Sequence, residues 1–322
     1  MTRKEIRNEA KKEKIKEDSY AKNRTIGGHT DVVFDFLNYT FFILFTIICV
    51  YPFYYLFINT ISSNGLVQKG LVNFYPRGIH FDNYWNLRQV NDLSNAFLVT
   101  LSRTLAGTAL TVAASGLVGY LMTKQELWHR KFWYRFMVVT MYFNAGLIPG
   151  FMNMQLLGLT NNYLVYIIPG IVNVFNIMMV KTYIESIPAE LGESASIDGA
   201  SYWTIFVKII WPLCKPILAT IAIWSAVGHW NSFQDSLIYM SAQPKLYTLQ
   251  HRLYIYLNTT SNLQALMSNS TTGLSEATRD SLLNVKVIQY TISMVTAIPI
   301  LLVYPFMQRY FEKGIMLGAV KG

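Results

Sequence analysis

Apolar residues in this chain come in long unbroken runs, without the alternation of a half-buried strand or the single stripe of a surface helix. Six stretches hold the roughly 20 mostly apolar residues that a helix needs to cross hydrocarbon, where backbone polar groups must be satisfied within the segment itself. They run approximately over 37–59 (LNYTFFILFTIICVYPFYYLFIN), 96–122, 134–154, 163–183, 209–230 and 287–308. This pattern predicts an all-α integral membrane protein with six transmembrane helices. The polar remainder divides the chain into an N-terminal tail (1–36), a transmembrane domain (37–308) and a C-terminal tail (309–322).

Short loops rich in Lys and Arg stay in the cytoplasm, so the distribution of basic residues sets the orientation. Lys124, Arg130, Lys131 and Arg135 surround the second connection. Lys181, Lys208 and Lys215 flank the loop 184–208, and Arg309, Lys313 and Lys321 follow the last span. The connection 155–162 on the other side has no basic residue, and the long loops 60–95 and 231–286 carry few for their length. Both termini are therefore expected in the cytoplasm. Tyr51, Tyr54, Tyr55, Trp128, Trp133 and Trp230 fall near predicted span ends, where amphipathic rings prefer the interface. NAGLIPG at 144–150, IIPG at 167–170, Pro299 and Pro305 interrupt spans, and such residues kink helices.

Composition agrees with the bilayer as solvent: 52% of residues are hydrophobic, 15% aromatic and 14% charged, against roughly 25% charged in soluble domains. The formal charge of +9 does not mark a nucleic-acid protein, because nine Lys and Arg fall before residue 25 among acids. That tail carries Glu5, Glu9, Glu13 and Glu17 at helical spacing, and both a solvated helix and a disordered segment fit it. The first apolar stretch begins about 35 residues in with no small-residue cleavage site after it, so it is expected to remain as an anchor. Cys49 and Cys214 have no metal or disulfide spacing, and the five histidines are scattered singly. No nucleophile–base constellation argues for a membrane enzyme. The span interiors lack Asp and Glu, which disfavours an ion-coupled carrier, although Arg103 stands out near the outer end of the second span.

One polar segment fits neither apolar neighbour: ELGESASIDGA, Glu190 to Ala200, in the cytoplasmic loop between the fourth and fifth spans. Ser186 is expected to cap a helix beginning at Ile187, with Pro188 in its first turn and Glu190 and Glu193 near its positive end. Gly199 suits a left-handed stop, and Ser201 a cap for a second helix that runs through TIFVKII and Trp211-Pro212 into the fifth span. Two readings of these residues stand side by side: an amphipathic interfacial helix, and a lever arm that meets a soluble partner and tilts a span.

ESASIDG (193–199), followed after nine residues by IIWP (209–212), resembles the EAA loop of permease subunits from bacterial binding-protein-dependent ABC importers. That loop reads E-A-A, three residues, G, nine residues, I-x-L-P. Here Ser194 replaces the first usual alanine and Trp211 the leucine, while Glu193, Gly199 and Pro212 are kept. The terminal QRYFEKGIMLGAVKG is similar to the tail of sugar-type permeases related to the second maltose permease. NAGLIPGFMNMQLLGLTNN and VGHWNSFQDSLIYM are similar to the subgroup for complex oligosaccharides.

The resemblance implies a type I importer permease that pairs with a homologous permease and two ABC ATPase subunits, with an extracytoplasmic binding protein delivering a carbohydrate. It implies that Glu190, Glu193, Ser194, Ala195, Asp198, Gly199 and Pro212 couple to an ATPase, and that Gly318, Lys321 and Gly322 approach the ATPase dimer. This chain has no G-x-x-x-x-G-K-[ST] loop, so ATP and Mg are expected on the partner, with no cofactor or catalytic residue here. Asn144, Asn173, Asn176, Trp224, His229, Trp230 and Asn231 are candidate pathway residues, because amides and aromatic faces suit sugars. Helix-to-helix hydrogen bonding and packing fit the same residues. An importer of a non-sugar solute remains the nearest alternative.

Overall fold

The computed structural model describes residues 29–87, 92–258 and 286–305, with side chains from Val32 onward. Residues 1–28 of the N-terminal tail, residues 259–285 of the second long loop and the C-terminal tail with Gly318, Lys321 and Gly322 lie outside the described residues, while residues 29–36, expected as tail, are already helical. Among those described, all regular structure is helical. The chain divides into two units after Tyr55.

The first helix, α1, spans His29–Thr60 and contains Pro52. In the first unit its side chains point outward along its length: Val32, Phe42, Ile48 and Val50 are all more than half exposed. A helix apolar on every side has hydrocarbon as its natural solvent.

In the second unit the central element is α2, Leu93–Thr123, a 31-residue helix. Its packing face is small: a Cβ on Gly119 would lie 2.8 Å from Val180 Cγ1, and one on Gly116 would lie 2.6 Å from Trp211. Without a hydrophobic force between helices in lipid, such close backbone approach is what holds spans together. Next come α3 (Arg130–Tyr142) and α4 (Leu147–Leu156). The expected span over 134–154 is thus two helices. Gly146 at φ 90° makes the break, and its N–H is held by Asn144 Oδ1 at 2.8 Å.

Two further predicted spans are bent. Short 3-10 turns over Tyr163–Gly170 lead at 41° into α5, Val174–Glu185. After α6 (Glu190–Ile197), a composite helix α7 runs from Tyr202 to Leu213 with a π-helical turn at Phe206–Ile210. It meets α8, Lys215–Asn231, at 78°. The chain continues as α9 (Gln234–Tyr239) and α10 (249–258), and α11 follows over Lys286–Pro305. Among the described residues three helices are long and apolar enough to cross a membrane, or up to five spans if each bent pair counts as one.

The first long loop is ordered by buried polar groups. Asn59 Nδ2 donates to Val72 O at 3.3 Å, Asn83 Nδ2 donates to Thr60 O at 2.9 Å, and Ile58, Val67, Val72 and Val287 close a small apolar core beside them. At the opposite end, Tyr120, Val180, Ile184, Phe206, Ile210 and Leu218 form the cluster that joins α2, α5, α7 and α8. That cluster carries the segment singled out by its sequence.

Candidate functional site

The segment Glu190–Ala200 folds as one short helix with a stop written into its sequence. Ser186 does not cap it: its backbone is right-handed helical (φ −86°), and its hydroxyl donates back to Tyr183 O at 2.6 Å, closing α5. The helix starts instead at Glu190, where Ala189 O accepts from Glu193 N at 3.1 Å. At its far end Gly199 adopts φ 81°. Gly199 N–H donates to Ser196 O at 3.1 Å and Ala200 N–H to Ala195 O at 3.0 Å, the paired bonds of a Schellman cap. Ser201 then accepts from Thr204 N at 3.3 Å and starts α7 as expected.

One face of α6 is tied down and the other is free. Ala195, Ala200 and Ile187 pack on the apolar cluster beneath. Tyr120 on α2 donates its hydroxyl to Tyr202 O at 3.3 Å, and Lys124 Nζ lies over the rings of Tyr120 and Tyr202 at 4.7 and 5.3 Å. Outward face Glu190, Glu193, Ser194 and Asp198, together with Leu191 and Ile197, the last 86% exposed. Ser194 spends its hydroxyl on Glu190 O at 2.8 Å, so it presents a small surface. Pro212 lies at the other end of α7, three residues before α8 begins.

From there α8 runs to the wall of a polar cleft of about 420 Å³. Asn173, Asn176, Trp224 and His229 all line it, four of the seven pathway candidates. Asn173 Oδ1 caps α5 by accepting from Asn176 N at 3.1 Å. Trp224 lies 6.0 Å from Phe175, centroid to centroid. His229 fits only because Gly107 on α2 has no side chain, since a Cβ there would sit 2.4 Å from Nε2. The other three lie elsewhere. Asn144 sits at the break before α4. Trp230 is buried on another face, donating Nε1–H to Thr296 O at 2.9 Å, and Asn231 Oδ1 accepts from Gln250 Nε2 at 3.3 Å.

The cleft also holds a charge pair that the sequence left unpaired. Arg103, 2% exposed, donates from Nη1 to Asp235 Oδ1 at 3.1 Å and from Nη2 to Oδ2, a two-pronged ion pair. Its Cζ lies 4.4 Å from the ring centroid of Tyr166. Asp235 Oδ1 further accepts from Ser232 Oγ at 3.0 Å and Ser236 N at 2.9 Å. Arg103 Nε, buried, has no hydrogen-bond partner. A lone arginine in an apolar helix demands a counter-ion, and Asp235 is the first acid after the fifth apolar stretch. That was the available signal. Thr111, Tyr166, Ser225 and Tyr239, polar groups dispersed over separate helices, complete the lining with no spacing to mark them.

The arrangement offers hydroxyl, amide, imidazole and aromatic surfaces in one cleft, walled by a helix whose other end leads through a bend and α7 to the exposed helix α6. Comparison with known proteins gives this arrangement a family. The family described as "Binding-protein-dependent transport system inner membrane component" matches residues 20–317. The polygalacturonan/rhamnogalacturonan transport system permease protein YtcP of Bacillus subtilis is 33% identical over 290 residues, covering 90% of this chain and 99% of the relative. The arabinooligosaccharides transport system permease protein AraQ of Halalkalibacterium halodurans is 26% identical, covering 87% and 94%. Among solved structures, a bacterial ABC transporter involved in import of the acidic polysaccharide alginate contains a chain 29% identical to this one. It superposes with a TM-score of 0.74 over 88% of this chain and 98% of its own. By residues 20–317, this chain belongs to the inner membrane components of binding-protein-dependent transport systems.

Proposed function

We propose that this chain is a permease subunit of an ATP-driven importer for an oligosaccharide delivered by an extracytoplasmic binding protein. The observation that carries the reading is one of connectivity: an exposed helix, α6, is joined through a hydrogen-bonded bend to α8, which walls the polar cleft. Across that bend Cys214 N–H donates to Ile210 O and Leu218 N–H to Cys214 O, both at 2.9 Å, so backbone hydrogen bonding continues from α7 through Cys214 into α8. The names of the relatives support a carbohydrate cargo, including uronate-rich polymers.

In this reading Glu190, Glu193, Ser194, Ala195, Asp198 and Gly199 seat in an ATPase partner, and ATP and Mg act there. Closure of the ATPase pair pushes α6; α7 transmits the push, and α8 shifts Trp224 and His229 in the cleft. A second, homologous permease supplies the facing wall, with the long outward loops toward the binding protein and both termini in the cytoplasm. Asn173, Asn176, Trp224 and His229 offer amide and aromatic contacts to the sugar, while the Arg103–Asp235 pair ties the outer end of α2 to the segment after α8.

The test is ATP-dependent uptake in proteoliposomes containing this chain, the second permease, the ATPases and the binding protein. A labelled oligogalacturonide or arabino-oligosaccharide should accumulate, and accumulation should stop without ATP. Uptake of an amino acid in preference to every oligosaccharide offered, or accumulation driven by an ion gradient alone, would refute the assignment.

A further inference from the structure

A groove of about 750 Å³, roomier than the polar cleft, lies between the start of α3 and the end of α5. We infer that this groove binds the headgroup of an anionic phospholipid. Arg130, Lys131, Arg135 and Lys181 line it, together with His129 and the rings of Phe132 and Tyr134. Among the described residues no carboxylate lines it; Glu185 touches Lys181 and Arg130, and Glu126 lies next to Gln125 and Leu127 in sequence, two acids against four cations.

The ion pairs leave part of this charge unspent. Lys181 Nζ lies 2.7 Å from Glu185, and Arg130 Nη2 lies 3.5 Å from the same carboxylate. Among the described residues Lys131 and Arg135 have no carboxylate within ion-pair distance. They stand four apart on α3, hence on one face, where both can meet a single phosphodiester.

The apolar half of the groove selects the kind of anion. Phe132, 60% exposed, stacks on Phe136, 51% exposed, with centroids 6.3 Å apart, and Val139 one turn further is 65% exposed. An apolar strip thus leads away from the cationic groove along α3. An amphiphile with an anionic head and acyl tails satisfies both parts, whereas a soluble anion satisfies only the first. Basic pockets between spans on the cytoplasmic side favour such headgroups. The inference rests on the orientation given above, with α3 beginning in the cytoplasm.

The experiment is native mass spectrometry of the assembled transporter in neutral detergent, titrated with phosphatidylglycerol and, separately, phosphatidylcholine. Phosphatidylglycerol should bind selectively. The variant Lys131→Gln/Arg135→Gln should weaken it about 30-fold, at about fivefold per basic side chain near an anionic surface. Lys131→Arg/Arg135→Lys should restore it, which separates charge from folding. Equal binding of both lipids, retention of phosphatidylglycerol by the glutamine variant, or its displacement by millimolar inorganic phosphate would overturn the inference, the last by identifying a free-anion site. Sugar uptake by the wild type in vesicles reads the transport assignment separately: its absence would leave a charge-dependent lipid site standing.

Discussion

Arg103 is the residue at which the energetics of the cleft are most exposed to test. Its guanidinium is buried and, among the described residues, held by Asp235, Ser232 O and the face of Tyr166, with Nε left unpartnered. Breaking a buried pair leaves a desolvated charge, whereas replacing both partners by apolar groups removes the penalty. Asp235→Asn should therefore lower stability by about 3 kcal/mol, read as a drop in the thermal unfolding midpoint of the detergent-solubilised protein. Arg103→Met/Asp235→Leu should recover most of that loss. If the single and double variants are equally destabilised, the pair is not what holds this region. Nearby, His251 accepts or donates a 2.9 Å hydrogen bond with Ser236 Oγ beneath the ring of Tyr247. Burial, reinforced by Arg252 and opposed by Asp235, pulls its pKa from 6.5 down to about 4. Between those values the unfolded chain binds the proton and the folded chain does not, so stability falls as pH drops through that window. His251→Gln should flatten the unfolding midpoint against pH there; an unchanged slope would assign the acid sensitivity to other groups.

At the scale of elements, the packing of α2 rests on what its glycines lack. Gly119→Val would drive a side chain into Val180 and the carbonyl of Ile177, 3.3 Å from an added Cβ, where backbone cannot yield cheaply. A loss of about 1–3 kcal/mol, measured by the same thermal unfolding, is expected; a neutral result would mean that α2 and α5 slide freely. The stop and start around Gly199 and Ser201 were legible in sequence because each is a local device: a positive φ and a side-chain acceptor act within four residues. The role of Ser186 was not, because its backbone continues α5 and both its N–H and its hydroxyl turn back to Tyr183 O, so it ends one helix and does not start the next. Likewise NAG marked a kink in the stretch 134–154, but its full break depends on Asn144 holding Gly146 N–H. The 78° bend before α8 falls at buried Cys214, between Pro212 and Pro216, and hydropathy alone does not record it.

At the scale of the whole molecule, hydropathy predicted the class of fold, and the EAA-like spacing pointed to the family. The interior was harder to read. Asn173, Asn176, Trp224 and His229 come together because α5 and α8 both pack on α2, whereas Trp230, one residue beyond His229, turns to α11. The central claim is mechanical, that force enters at α6 and is carried to the cleft. It is tested most directly by measuring ATP hydrolysis and sugar uptake together in the same proteoliposomes for Gly199→Pro and Glu193→Lys. Proline cannot adopt φ 81° or donate the N–H that Gly199 gives to Ser196, so the cap should open without touching the cleft. The predicted result is intact membrane insertion with uptake lost in both variants; normal uptake per ATP hydrolysed, at normal abundance, would contradict the account.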